Sequence, residues 1–530
     1  MASSWSSGAL AVLLMLAASA LVVPPGAQAY RVLGMFPFNG RSHNIMFKAL
    51  MEVLADRGHD VYMMSPFPQK APRANYTDLD LSKEFPSLVN GLTYEQMTSF
   101  GRTTIVKLIG QMAGADLCRA TFETQHFRDV MSGKHGKFDV VFTEIFGSDC
   151  FAAVAHKLKL PLISVVTAPD FPWMHERVGS IDNPSYIIAG MEPFAGRMNF
   201  LQKITNVFMC LYNKYMHKVY VNDPSDPVVR EFFGQDTPAI AELIKNTSLI
   251  MVNSHVSVNP ARPVNPNVIN VGGLHLKDAR PDRHGAGMDP DLRKWMDGAE
   301  HGVIFFTLGS LVRSSSLPKQ TIENLIQAFG ELPQRVLWKY ETDDIKDRLP
   351  GNVRIASWMP QMEILAHHKT VLFITHGGLM GTTEAMFLGV PLLGIPLFAD
   401  QMPNVELYRT LGIAERLDHT ELTKDNVLTT IRKLTATDEY RVRAKAVAAR
   451  YADRPFSAAE EAGWWTEYVI RHRGAPHLRP LGADLPLHQY LLLDVVALVL
   501  GAVIAVLLLL RAAVRALLGR TTTKTKQKKN

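Results

Sequence analysis

Three cysteines in 530 residues, Cys118, Cys150 and Cys210, are too few and too scattered for a disulfide framework. One bridge is compatible with them, but a buried, unpaired thiol is the expectation for each. The chain also lacks a basic excess outside its last residues. Its formal net charge of +6 comes from a tail in which Arg511, Arg515, Arg520, Lys524, Lys526, Lys528 and Lys529 stand without a single acid. Without those seven, 49 basic residues face 50 acidic ones, which excludes a nucleic-acid partner held by charge. Lys and Arg are missing ahead of the apolar run Leu10 to Val23 as well. That run nevertheless precedes Ala27-Gln28-Ala29, a small-x-small cleavage pattern, so residues 1–29 read as a secretory signal peptide.

What is present points to a large, membrane-anchored α/β protein. Leu491 to Leu510 has Asp494 as its only charge and is long enough to cross a bilayer, which makes 511–530 a basic cytosolic tail. Lysines three and five positions from the end, in Lys526-Gln527-Lys528-Lys529-Asn530, resemble a dilysine retrieval signal of the endoplasmic reticulum, so a single-pass type I protein of that membrane is expected. The sequons at Asn75 and Asn246 would then face the lumen.

The length between the targeting segments suits two domains. Residues 30–258 open with an apolar strand, Tyr30 to Pro37, and a helix whose Met46, Ala49, Leu50, Val53 and Leu54 share one face. Strands follow at Val61 to Ser65, Phe138 to Thr143 and Leu162 to Val166. Arg197 to Val221 mixes aromatics, methionines and lysines and reads either as core or as a segment resting on a membrane surface. A proline-stiffened loop, Asn259 to Asn267, opens the second domain, 259–455, in which strands at Val303, Val336, Val353, Val371 and Pro391 alternate with helical patterns. That alternation predicts a parallel sheet covered on both faces. Residues 456–490 supply a returning helix and a membrane-proximal segment.

One run carries most of the chemistry: FITHGGLMGTTEAMFLGVPLLGIPLFADQ, Phe373 to Gln401. An apolar strand passes through His376-Gly377-Gly378 into a helix, a turn whose free backbone amides and close-approach glycines suit a phosphate. Glu384, further along that helix, can accept from a ribose diol, and Asp400 with Gln401 closes the next strand. The run resembles the signature of the UDP-glycosyltransferases, most of all arthropod members. The resemblance implies a GT-B fold, two Rossmann-like domains facing across a cleft, with a UDP-sugar and a small lipophilic acceptor as partners. It implies neither a metal nor any other cofactor, and it allows a homo-oligomer.

Residue by residue, the resemblance assigns the donor site to Ser310, Trp358 stacking on uracil, Gln361, His376, Gly378, Gly381, Thr382, Glu384, Asp400 and Gln401. Met380 stands where many relatives have a polar residue, so Thr382, Thr383 or backbone amides are expected to replace that contact. The base is His43, just after the strand-to-helix loop, with Ser42 as the expected N-cap. Its carboxylate partner is Glu144 by spacing or Asp149 by residue type, and Asp149 is preferred. Phe171, Trp173, Met174, Met191, Phe194 and Met198 are expected around the acceptor. Asp78-x-Asp80 and Asp289-x-Asp291 have the pattern of a metal motif, but Asp289 ahead of Pro290 reads better as a helix N-cap. The expected reaction is inverting hexosyl transfer, UDP-glucose favoured; the alternatives are glucuronosyl transfer and a non-catalytic membrane protein of the same fold.

Overall fold

A computed structural model describes residues 29–276 and 288–526, with side chains through Leu518. The expected signal peptide (1–28 of it) and the terminal dilysine pattern beyond Lys526 lie outside the described residues.

Seven strands form the first sheet: β1 (Arg31–Met35), β2 (Asp60–Ser65), β3 (Tyr76–Asp80), β4 (Val140–Glu144), β5 (Leu162–Val166), β6 (Thr247–Val252) and β7 (Val268–Asn270). Their order is β3-β2-β1-β4-β5-β6-β7, parallel throughout. Because side chains alternate along a strand, both faces need cover. Val32 points to one core and Leu33 to the other. On the first face lies α1 (Arg41–Asp56), whose Leu50, Val53 and Leu54 are buried against the strand residues. The second face is covered in part by α2 (Ile105–Ala113) and α3 (Ala115–Phe122). Between β5 and β6 runs α4 (Phe200–His217), joined by its own capping box at Asn199 and Gln202. β7 lies beyond residue 258, so the first sheet extends past the boundary that the prolines suggested.

Six parallel strands make the second sheet: β8 (Val303–Thr307), β9 (Arg335–Lys339), β10 (Val353–Ala356), β11 (Thr370–Thr375), β12 (Leu392–Gly394) and β13 (Ala414–Arg416), in the order β10-β9-β8-β11-β12-β13. Two of its helices, α5 (Leu379–Phe387) and α6 (Gln401–Thr410), follow β11 and β12. Asp289 caps the helix Pro290–Asp297, accepting from the amides of Asp291 and Leu292, which gives it the blander role. The chain then returns: α7 (Ala458–Arg471) buries Ala462 and Val469 in the core of the first sheet, and its Glu467 pairs with Arg57 at 2.6 Å.

Order reverses between β1 and β4 in the first sheet and between β8 and β11 in the second. Connections leave such a switch point in opposite directions and open a crevice at the carboxyl ends of the strands. Most of the candidate chemistry sits after those four strands or their neighbours, and Trp358 and Gln361 follow the edge strand β10.

Residues 479–530 form a separate unit. Its helix α8 (Leu493–Lys526) contains Leu493–Leu518, 26 residues whose most apolar 18-residue stretch has a mean hydropathy of 3.0, long and apolar enough to cross a membrane. The helix begins two residues later than expected and continues beyond 510.

Candidate functional site

His43 stands in the first turn of α1, whose N-cap is Gly40 rather than Ser42. Its Nδ1 lies 2.5 Å from Oε1 of Glu144, the last residue of β4, and Thr167 donates its hydroxyl to the same oxygen at 3.1 Å. An ionised carboxylate only accepts, so Nδ1 carries the proton and Nε2 keeps its lone pair. Edge contacts from Phe38 and Phe146, at 4.9 and 4.7 Å between ring centroids, hold the imidazole plane.

Asp149, the carboxylate preferred on residue type, is not at His43. Both its oxygens lie 2.6 Å from Nη2 of Arg177, and His217 approaches within 3.7 Å. The reason is local: five residues past Glu144 the chain enters a short 3-10 turn, Asp149–Phe151, that carries the side chain into the interior. There burial pushes the His217 imidazole down to about 4, against the pull of Asp149. The same turn corrects the cysteine expectation. Cys150 forms a disulfide with Cys118 of α3, and Cys210 alone is the buried free thiol.

His43 opens into a cavity of about 610 Å³ that is also lined by Ser310, Trp358, Gln361, His376, Gly378, Gly381, Glu384, Asp400 and Gln401. That volume lies within the roughly 300–1,000 Å³ of small-molecule sites. His376 follows β11 and is wedged between two glycines: a Cβ at Gly309 or at Gly378 would come within 2.5 Å of its ring. Gly309 also needs its φ of +85°. Burial, helped by the charge of Lys339, pushes the His376 imidazole down to about 4. Glu384 accepts from Gln361 Nε2 at 2.6 Å, and burial raises its carboxyl to about 7 against that hydrogen bond. Gln361 is thus the partner of Glu384. Trp358 is half exposed in the cavity, with the Arg41 guanidinium 4.8 Å over its ring.

Asp400 caps α6 and accepts from Asn404 at 2.8 Å, while burial raises its carboxyl. The field of His43, 357 positions away, opposes that rise, so the two groups share the cleft. Gln401 accepts the amides of Leu397 and Phe398 on Oε1, which leaves its NH₂ group for a ligand.

Thr382 is a correction. Its hydroxyl is buried, bonded to the Gly378 carbonyl and to Tyr408, and it does not line the cavity. Helical geometry turns the fourth residue of α5 inward, so the first-turn amides of Leu379, Met380 and Gly381 are the donors left to replace the missing polar side chain. Of the six residues expected around the acceptor, Phe171 and Met191 line the cavity. Trp173, Met174 and Met198 are core, and the apolar wall is built instead by Phe38, Ile45, Met97, Ile105 and Leu108.

Sequence reasoning missed Arg41, Lys339 and Thr167. Lys339 is 5% exposed, closes β9 after the apolar Val336, Leu337 and Trp338, and donates to Asn90 and Glu341 at 2.8 and 2.9 Å. A cation ending a buried strand was the available signal. Among the described residues Asp297, His367 and His368 are spaced so that they could hold a metal ion, but none of the three lines the cavity.

A family model described as UDP-glucoronosyl and UDP-glucosyl transferase matches residues 32–529. UDP-glucosyltransferase 2 of Dactylopius coccus is 42% identical over 88% of this chain and 89% of its own length. UDP-glucuronosyltransferase 2B15 of Rattus norvegicus is 30% identical over 87% of this chain and 88% of its own. Among solved structures, a UDP-glucosyltransferase from Polygonum tinctorium superposes with a TM-score of 0.55 at 17% identity, covering 84% of this chain and 99% of that one. At that identity the likeness shows the fold, which is GT-B.

Proposed function

The chain belongs to the UDP-glucoronosyl and UDP-glucosyl transferase family, and from that premise we propose that it moves glucose from UDP-glucose to a hydroxyl of a small lipophilic acceptor, inverting the anomeric centre. The observation that carries this reading is that His43, hydrogen-bonded to Glu144, and the turn between β11 and α5 line one cavity. His43 Nε2 takes the acceptor proton, and Glu144 stabilises the imidazolium that results. The acceptor oxygen forms its bond to the anomeric carbon as the bond to the β-phosphate oxygen breaks. UDP leaves with its charge met by His376, Lys339 and the first-turn amides of α5. Glu384 takes the ribose diol, Trp358 the uracil, and Asp400 with Gln401 the sugar hydroxyls. No metal or other cofactor enters the scheme, so chelation with EDTA is expected to leave turnover unchanged.

Two features support glucose over glucuronate. The cations lining the cavity are engaged away from the sugar end, Arg41 over Trp358 and Lys339 with Glu341, whereas Asp400 is itself a carboxylate. The relative at 42% identity is named for glucosyl transfer. Membranes from expressing cells, incubated with a planar phenol and either labelled UDP-glucose or labelled UDP-glucuronate, test the choice. Glucoside as the main product is expected. Glucuronide alone overturns the donor assignment, and UDP binding without product from any acceptor supports a non-catalytic protein. We also place the catalytic domains in the lumen of the endoplasmic reticulum, with α8 spanning its membrane. Asn75 and Asn246 are both exposed, so a mass shift on endoglycosidase treatment is expected, and its absence from both would place them elsewhere.

A further inference from the structure

Helix α4 is turned inside out relative to an ordinary surface helix. Its inner face is polar: Asn206, Asn213 and His217 are almost fully buried beside Met209 and Cys210. Asn206 there accepts the amide of Ala189 and donates to the carbonyls of Pro184 and Ile187, all within 2.8 Å. The outer face is apolar. Phe200 (76% exposed), Ile204, Phe208 (60%), Leu211 and Tyr215 follow one another at intervals of three and four, with Leu201 and Val207 beside them, a continuous stripe on one side of the helix. Since Asn206, Asn213 and His217, together with Met209 and Cys210, already fix the inner face of α4 to the domain, the stripe is not a leftover of core packing. A contiguous apolar surface of this kind marks a contact with something outside the fold.

Two observations identify the occupant as lipid. The eighteen residues of α4 include no acid, and Lys203 on the helix and Arg197 just before it are exposed, which complements anionic headgroups. The same chain carries the 26-residue apolar segment Leu493–Leu518, so the protein works beside a bilayer. We propose that α4 lies flat in the interfacial layer of a membrane, its stripe at the acyl boundary and its flanking cations among the headgroups, a contact roughly 27 Å long at 1.5 Å per residue. The proposal does not depend on the sugar chemistry.

The full-length protein offers a direct test, because Cys118 and Cys150 are bridged and Cys210 is buried. A cysteine introduced as F208C, and a control at the exposed Thr429 as T429C, are labelled with an environment-sensitive dye. The labelled proteins are reconstituted into vesicles of phosphatidylcholine and phosphatidylserine. Emission from position 208 is expected to shift to the blue and to be quenched by lipids brominated near the headgroup, while position 429 stays water-like and unquenched. Water-like emission at 208 overturns the proposal. So does a blue shift that brominated lipid leaves unquenched, which assigns the stripe to a second copy or another protein. A label at position 204 (I204C) in the F208E/L211E background serves as a second arm. Loss of its quenching, with turnover of a water-soluble acceptor retained, is expected; undiminished quenching overturns the proposal.

Discussion

In the proposed reaction His43 and Glu144 divide the work of one proton transfer, and their substitutions should separate cleanly from that of Asp149. His43→Ala removes the base and is expected to lower turnover by about 10²–10⁴-fold while UDP still binds, measured by product formation and calorimetry on the same preparation. Glu144→Gln keeps the shape but loses the charge that orients Nδ1–H, so turnover should fall without a change in melting temperature. Asp149→Asn is expected to do the reverse. It breaks an ion pair whose side chains are at most 2% exposed, at a cost of about 3–5 kcal/mol of stability, with activity per folded molecule retained. The raised carboxyl of Glu384 gives a pH dependence of known sign. With the site empty it is protonated below about 7, and a diol binds the ionised form because a carboxylate accepts from both hydroxyls. Affinity for UDP should therefore rise as pH climbs through 7, and Glu384→Gln should lack that component of the titration. Residue type favoured Asp149 in the sequence and spacing favoured Glu144; the side chain at the strand end prevailed because β4 delivers its last residue to the cleft, whereas the next turn leads away from it.

In the proposed scheme, elements carry the phosphate site and the frame around the base. At the start of α5, Gly378→Ala would drive a Cβ into the His376 ring, a clash worth about 1–3 kcal/mol, so UDP binding should weaken by roughly tenfold. Wild-type affinity in that variant would mean that His376 can move aside. The disulfide joins α3 to the turn that follows the Glu144 strand, across 32 positions. Replacing Cys118 and Cys150 with serine is expected to cost about 2–4 kcal/mol, read as a fall in melting temperature that a reductant reproduces in the native protein. Most elements were legible because apolar periodicity is local: α1, β1, β8 and β11 lie where their patterns predicted. Helix α4 was legible only as an alternative, since a stripe of apolar residues looks the same in sequence whether it faces a core or the outside.

Across the whole molecule, the cleft depends on cross-sheet ties such as Asn90 to Lys339 and the isolated bridge between Leu92 and Val312, and on α7 returning to the first sheet. Truncation after Leu478 removes the separate C-terminal unit and should leave UDP binding and turnover of a soluble acceptor intact; loss of either would mean that the C-terminal unit contributes to the site. The donor run from Phe373 to Gln401, the bilayer-length segment and the charge balance were determined by sequence alone, because each is a property of neighbouring residues or of bulk composition. Tertiary structure alone decided that His43 meets a carboxylate 101 positions away, that Cys118 finds Cys150, that Thr382 turns inward, and that Arg41 and Lys339 reach the cavity. Those are distances between segments remote in the chain, set by strand order and by which face each turn presents, and no local pattern encodes them.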